Sequence, residues 1–234
     1  MTTASGLIDD LVAANRILAR EGVVDGYGHV SIRHDRDPER YLLSRSRAPE
    51  LVTADDVLEY DLDSRPRDHQ GQPQYTERFI HGEIYRARPD VRAVVHHHSP
   101  SVIPFGASTV PLRAIYHMSG FLGEGIPVYE IRAAGGMTDM LVRDAALARA
   151  LARTLGDAPG ALMRGHGAVV VGESISQAVA RSIYMELNAR LQAQAIALGG
   201  PITYLAAEEC RRVGGVLGGY ERSWELWKRK ARPG

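Results

Sequence analysis

Ala93-Val94-Val95-His96-His97-His98-Ser99-Pro100 is the stretch on which the reading of this chain turns. Small and β-branched apolar residues that give way to polar ones and a proline describe a buried strand ending at the histidines. Alternate side chains of an extended strand share a face, so His96 and His98 point one way and His97 the other. Two imidazoles at the end of a buried strand cost desolvation unless a metal ion or strong hydrogen-bond partners offset it. His-x-His alone leaves two readings open, a chelating pair or a pair of polar strand-end histidines.

Working outward, Leu162-Met163-Arg164-Gly165-His166-Gly167-Ala168 sets a third imidazole between glycines just before the apolar run Val169-Val170-Val171. Glycines allow close backbone approach and unusual dihedrals there. With His96 and His98, His166 would complete three protein ligands and leave positions open for substrate, the pattern of a catalytic metal. Upstream, Thr76 is the expected N-cap of a helix that runs through Phe79, Ile80 and Ile84 and stops before Pro89. Glu77 then lies in its first turn, where it either serves the helix dipole or shuttles a proton beside an open metal position.

The remaining chain reads as a mixed order of elements. Residues 6–21 carry Leu7, Leu11, Ala14 and Leu18 at helical spacing, with Gly22 placed for a left-handed C-cap. Residues 29–33, 40–44 and 57–62 read as short strands of a largely antiparallel sheet. Further strands are expected at 112–116, 127–131 and 168–171, and helices over 138–155 and 175–198. Trp224 and Trp227 lie three apart on a last helix over 220–232 beside Lys228, Arg229 and Lys230, which reads as a docking helix, or as one whose Tyr220 closes a neighbouring subunit's site. Strands cluster early and helices dominate late, which favours an α+β layered sheet, and no linker, repeat or low-complexity tract divides residues 1–234, read as one domain.

Composition narrows the function. Lys plus Arg and Asp plus Glu number 28 each, so formal charge is zero and the electrostatic case for a nucleic-acid or anionic-membrane binder falls away. The single cysteine, Cys210, cannot form an internal disulfide or a cysteine-based zinc site, and reads as a helix-packing thiol. Any metal must therefore be held by histidines and carboxylates. With no leader-like or bilayer-spanning apolar run, a cytoplasmic location is expected.

These residues together resemble the class II aldolase/adducin superfamily along nearly the whole chain. The resemblance lies in an apolar strand ending in His96-x-His98, Glu77 nineteen residues before His96, and His166 in a Leu-x-x-x-His-Gly turn. It implies a three-layer α/β/α fold with a mostly antiparallel central sheet, and a homotetramer with sites between subunits. It also implies one divalent ion per subunit, manganese, zinc, cobalt or iron, on His96, His98 and His166, stabilising an enolate.

The sequence departs from the sugar-phosphate members where they cradle phosphate. Their Gly-Asn-x-Ser is here Gly28-His29-Val30-Ser31, and their small serine turn is Ser44-Arg45-Ser46-Arg47-Ala48-Pro49. Arginines suit planar carboxylates. With Arg78-Phe79-Ile80-His81-Gly82-Glu83 and His117, the pattern looks like the branch that decarboxylates hydroxylated aromatic dicarboxylates, the pyridine acids of vitamin B6 breakdown and dihydroxyphthalates among them. The expected substrate contacts are then His29, Ser31, Ser44, Arg45, Ser46 and Arg47. Glu77 or His117 is expected to protonate the carboxyl-bearing carbon, leaving a metal-stabilised phenolate. His81 reads as a residue of a helix face or one standing behind the metal ligands rather than a ligand itself, and His34 and His69 as exposed. A sugar or sugar-phosphate aldolase or epimerase is the enzyme alternative, and an adducin-like scaffolding domain the non-enzyme one.

Overall fold

The computed structural model describes residues 4–217 and 220–231. Its elements, in chain order, begin with α1 (Ala4–Arg20), β1 (His29–Arg33), β2 (Arg40–Ser44), β3 (Val57–Asp61), α2 (Phe79–Ala87), β4 (Ala93–His97) and α3 (Ile103–Gly106). They continue with β5 (Val128–Tyr129), α4 (Ile131–Gly135), α5 (Ala145–Leu155), β6 (Gly160–Met163), β7 (Gly167–Gly172), α6 (Ile175–Leu198), α7 (Ala207–Leu217) and α8 (Glu221–Lys230). The seven strands form one sheet in the order β3-β2-β1-β4-β7-β6-β5. Every pairing is antiparallel except that of β5 with β6.

Helices cover both faces, which makes three layers. On one side Ile80, Ile84 and Tyr85 of α2 and Leu147, Leu151 and Leu155 of α5 pack on Val94, Val169 and Val171. On the other, Leu11 and Leu18 of α1 and Val179 and Ile183 of α6 pack on Val30, Ile32 and Val95. The central strands β1, β4 and β7 are therefore buried at every residue; β4 and β7 carry apolar runs, whereas β1 alternates His29, Ser31 and Arg33 with Val30 and Ile32. Edge strand β3 alternates between buried and half-buried residues. Trp227 is buried and Trp224 partly buried against the α1–α6 layer, while Tyr220 packs into its own chain, its hydroxyl donating to the Met118 carbonyl at 3.3 Å. The last helix is thus docked on its own chain, and Arg232 lies outside the described residues.

Several expected elements differ, each for a physical reason. Residues 112–116 are not a strand. Asn188 and Gln192, one turn apart on α6, accept from the Ile115 and Arg113 amides at 3.0 Å each and donate to the Arg113 and Pro111 carbonyls, so side-chain amides take the place of a ladder. Of residues 127–131 only Val128–Tyr129 pair, because α4 begins at Ile131. The helix expected from residue 138 starts at Ala145, where Asp144 caps it by accepting from the Leu147 amide. Strand β6 was hidden in the approach to the His166 turn. Thr76 is not an N-cap: Thr76–Arg78 form a 3-10 turn without a side-chain cap, and Glu77 leaves helical geometry at φ −92°, ψ 17°.

Candidate active site

The sheet brings the motif residues together at one end. β4 and β7 are neighbours, so the end of β4 lies beside the turn that enters β7, and His96, His98 and His166 meet there. Gly167 permits this approach: a Cβ at that position would overlap the His97 carbonyl oxygen. His98 Nε2 is 3.0 Å from His96 Nε2 and 3.1 Å from His166 Nε2. Glu77 Oε2 stands 3.4 Å from His96 Nε2 and 3.5 Å from His166 Nε2.

Backbone partners fix which nitrogens face inward. A carbonyl can only accept, so His96 Nδ1 donates to Ala168 at 3.1 Å and His166 Nδ1 donates to Met140 at 3.0 Å. In the neutral rings both Nε2 lone pairs then converge with Glu77 Oε2. Burial, with His96 and His166 adding to it, pushes His98 down to about 4, so it too offers a lone pair near neutral pH. Burial acts to raise the Glu77 carboxyl, but His96 foremost, and His166, hold it well below the usual carboxylate range. Burial acts to lower His166, but Glu77 outweighs it and raises that ring. Imidazole nitrogens and a carboxylate converging on one point suit a divalent cation, which would take the place of a shared proton, and imidazole oriented through its far nitrogen is the arrangement metal sites use. The residues present fit such an ion.

A cleft of about 350 Å³ opens on this cluster, with Glu77, His98, His29 and Arg47 in its wall. Ser46 lines it too, but Ser44 and Arg45 do not. Asp56 ties the arginine turn down: its carboxylate takes Arg45 Nε at 2.6 Å and Arg47 Nη1 at 3.1 Å. Ser44 is buried, its hydroxyl 3.2 Å from that of Tyr75. Ser31 does not reach the cleft. Its hydroxyl lies 2.6 Å from His81 Nδ1 and 2.8 Å from the Tyr85 hydroxyl, while His81 Nε2 lies 2.6 Å from His29 Nδ1. His117 is exposed on the 3-10 turn His117–Leu122 and is not in the cleft wall of its own chain. His97 faces the opposite side of the sheet, its Nδ1 paired with Ser99. His34 and His69 are half-buried, not exposed.

Other residues of the site carry no motif. Tyr75 lines the cleft, donates to the Arg47 carbonyl at 2.6 Å and sets its ring 4.6 Å from that of His29. Val142 donates its amide to Glu77 Oε1 at 2.9 Å. Met140 turns its carbonyl to His166 from a left-handed backbone, φ +74°. Only proximity to Glu77 in sequence could have pointed to Tyr75, and nothing local marks the 138–144 loop.

Fold and site together define a histidine-and-carboxylate centre of the metal-binding type at the end of a three-layer α/β/α sheet. The chain belongs to the class II aldolase and adducin N-terminal domain family, whose model matches residues 9–193. It is 35% identical to decarboxylase tropJ of Talaromyces stipitatus, covering 99% of this chain and 96% of that protein. It is 31% identical to 3,4-dihydroxyphthalate decarboxylase of Arthrobacter keyseri, covering 97% and 93%. The fold matches that of L-fuculose 1-phosphate aldolase from Glaciozyma antarctica with a TM-score of 0.80 at 22% identity, over 99% of this chain and 92% of that one.

Proposed function

We propose that this protein is a carboxy-lyase that removes carbon dioxide from a hydroxylated aromatic dicarboxylate, of the benzene or pyridine series, with a divalent ion held by His96, His98 and His166. The observation that carries the reading is full-length similarity to two decarboxylases, one of them acting on 3,4-dihydroxyphthalate by its name. The cleft chemistry supports it, since Arg47 and His29 line the same wall as Glu77.

A divalent ion in this site would supply Lewis-acid stabilisation of negative charge on a substrate oxygen. The protein's own groups do the rest. Glu77, anchored through Oε1 on the Val142 amide and held as a carboxylate, keeps Oε2 free to take the proton of the substrate's ring hydroxyl and hand it on. That proton passes to the ring carbon bearing the carboxyl group. The bond from this carbon to the carboxyl carbon then breaks, its electron pair returns to the ring, and carbon dioxide leaves. Arg47 pairs with the carboxylate that is retained, at a place where Asp56 and Tyr75 hold the turn steady. His117 is exposed and outside its own chain's cleft, so a role for it in proton transfer requires a second copy, as in a homotetramer with shared sites.

Carbon dioxide release from a panel of hydroxy-aromatic dicarboxylates, 3,4-dihydroxyphthalate first, tests the proposal with metal-loaded protein. Turnover of a sugar phosphate with no carbon dioxide from any member of the panel would overturn it in favour of an aldolase.

A further inference from the structure

A buried chain of four polar side chains runs from the cleft into the α2 layer: His29, His81, Ser31 and Tyr85. None is more than 4% exposed. Its direction is set at the inner end. A buried hydroxyl must donate or forfeit the cost of its desolvation. Among the described residues, Ser31 Oγ is the acceptor within reach of the Tyr85 hydroxyl. The other groups against Tyr85, the Val94 amide and the Arg33 guanidinium 4.7 Å from the ring centre, are donors. Tyr85 therefore donates to Ser31. The Ser31 hydroxyl is left to donate to His81 Nδ1, which must accept and so carries its proton on Nε2. That proton goes to His29 Nδ1. The proton of His29 is displaced to Nε2, the ring nitrogen left for the cleft.

We propose that Tyr85, Ser31 and His81 are positioning residues that fix His29 as its Nε2–H tautomer, so that the cleft meets an acceptor oxygen of its ligand with a neutral N–H donor. This rests on the decarboxylase reading only for the identity of that oxygen, which in an aromatic dicarboxylate is a carboxylate or phenolic oxygen. The inner end is closed to solvent at Tyr85, 1% exposed, so the chain sets polarity and carries no proton away. Ser31, at first sight a substrate ligand, acts through His81 instead.

Long-range ¹H–¹⁵N correlation of the histidine rings in zinc-loaded protein reads the tautomer directly, with His29→Gln identifying the signal. The expected pattern is Nε2–H for His29 in the wild type. Tyr85→Phe keeps the ring and removes the terminal donor, and Ser31→Ala breaks the middle of the chain. Each should move His29 towards a mixture with Nδ1–H and weaken binding of phthalate, a non-reacting probe, about 3- to 10-fold at unchanged zinc content. A wild-type His29 in the Nδ1–H form would overturn the inference, as would variants that leave both tautomer and phthalate affinity unchanged. Failure to release carbon dioxide from any aromatic acid would remove the functional reading and leave the tautomer result standing.

Discussion

His166 and Met140 are joined by a 3.0 Å hydrogen bond in which the imidazole Nδ1 donates to a carbonyl presented from φ +74°. A non-glycine residue in that region carries roughly 1 kcal/mol or more of strain, which the surrounding structure must hold in place. The bond it makes aims His166 Nε2 at His98. Met140→Gly should keep the carbonyl in place and retain metal affinity. Met140→Val places a β-branched residue where it fits poorly and should weaken metal binding on the order of 10-fold. Competition with a chelating dye measures both, and equal affinities would refute the bracing role.

Metal content should separate the three consecutive histidines. His96→Ala and His98→Ala are expected to lose bound metal, as is His166→Ala. His97→Ala should retain it and instead lose on the order of 2 kcal/mol of stability, because its ring is packed on the far side of the sheet. Elemental analysis with denaturant unfolding gives both numbers. Near-stoichiometric metal in His96→Ala would sink the ligand assignment.

Glu77→Gln preserves the size of the side chain and its acceptor for the Val142 amide, but cannot cycle a proton. Turnover should fall about 10²- to 10⁴-fold with fold and metal content retained. Single-turnover carbon dioxide release is the measurement, and near-normal turnover would exclude Glu77 as the proton carrier.

Of the two arginines, only Arg47 lies in the cleft wall. Arg47→Lys, which keeps charge but loses the planar fork, should weaken use of an aromatic dicarboxylate by roughly 1.5–3 kcal/mol while a matching monocarboxylate is little affected. Arg45→Lys should not discriminate between the two compounds. Kinetics with both substrates decide, and the reverse ranking would move the carboxylate contact to Arg45.

Asp56 couples the arginine turn to pH. Burial acts to raise its carboxyl, but bonds from Thr53, Arg45 and Arg47 outweigh burial and lower it from 3.8 to about 2. A group depressed in the folded state contributes stability that is present above its unfolded pKa and is lost as pH falls through the folded one. About 2 kcal/mol should therefore disappear between about pH 4 and pH 2. Urea unfolding across that window should show the slope in wild type and a flatter profile in Asp56→Asn.

The sequence made the sheet core readable because β1 alternates polar and apolar residues while β2 and β4 hold short apolar runs, all bounded by turns, and residues 29–33, 40–44 and 175–198 fall where expected. The four residues of the cluster were also legible, since His-x-His, the glycine-flanked His166 and Glu77 each have a local pattern. What stayed hidden depends on distant partners. Residues 112–116 look like a strand, and only Asn188 and Gln192, more than seventy positions away, replace the ladder. The 138–144 stretch looks helical, yet its Met140 carbonyl and Val142 amide are spent on His166 and Glu77. Arg45 and Arg47 read alike until Asp56 and the cleft wall distinguish them.

Gly167 shows how the absence of an atom can set a dimension. Its bare Cα lies against the His97 carbonyl, and even one methyl group would push β7 away from β4 at the point where the chain enters the sheet. His166 is the preceding residue, so its ring would be carried off with the backbone. The spacing of the three imidazoles is thus gauged by main-chain contact between adjacent strands, and is built into the sheet as much as into the histidines themselves.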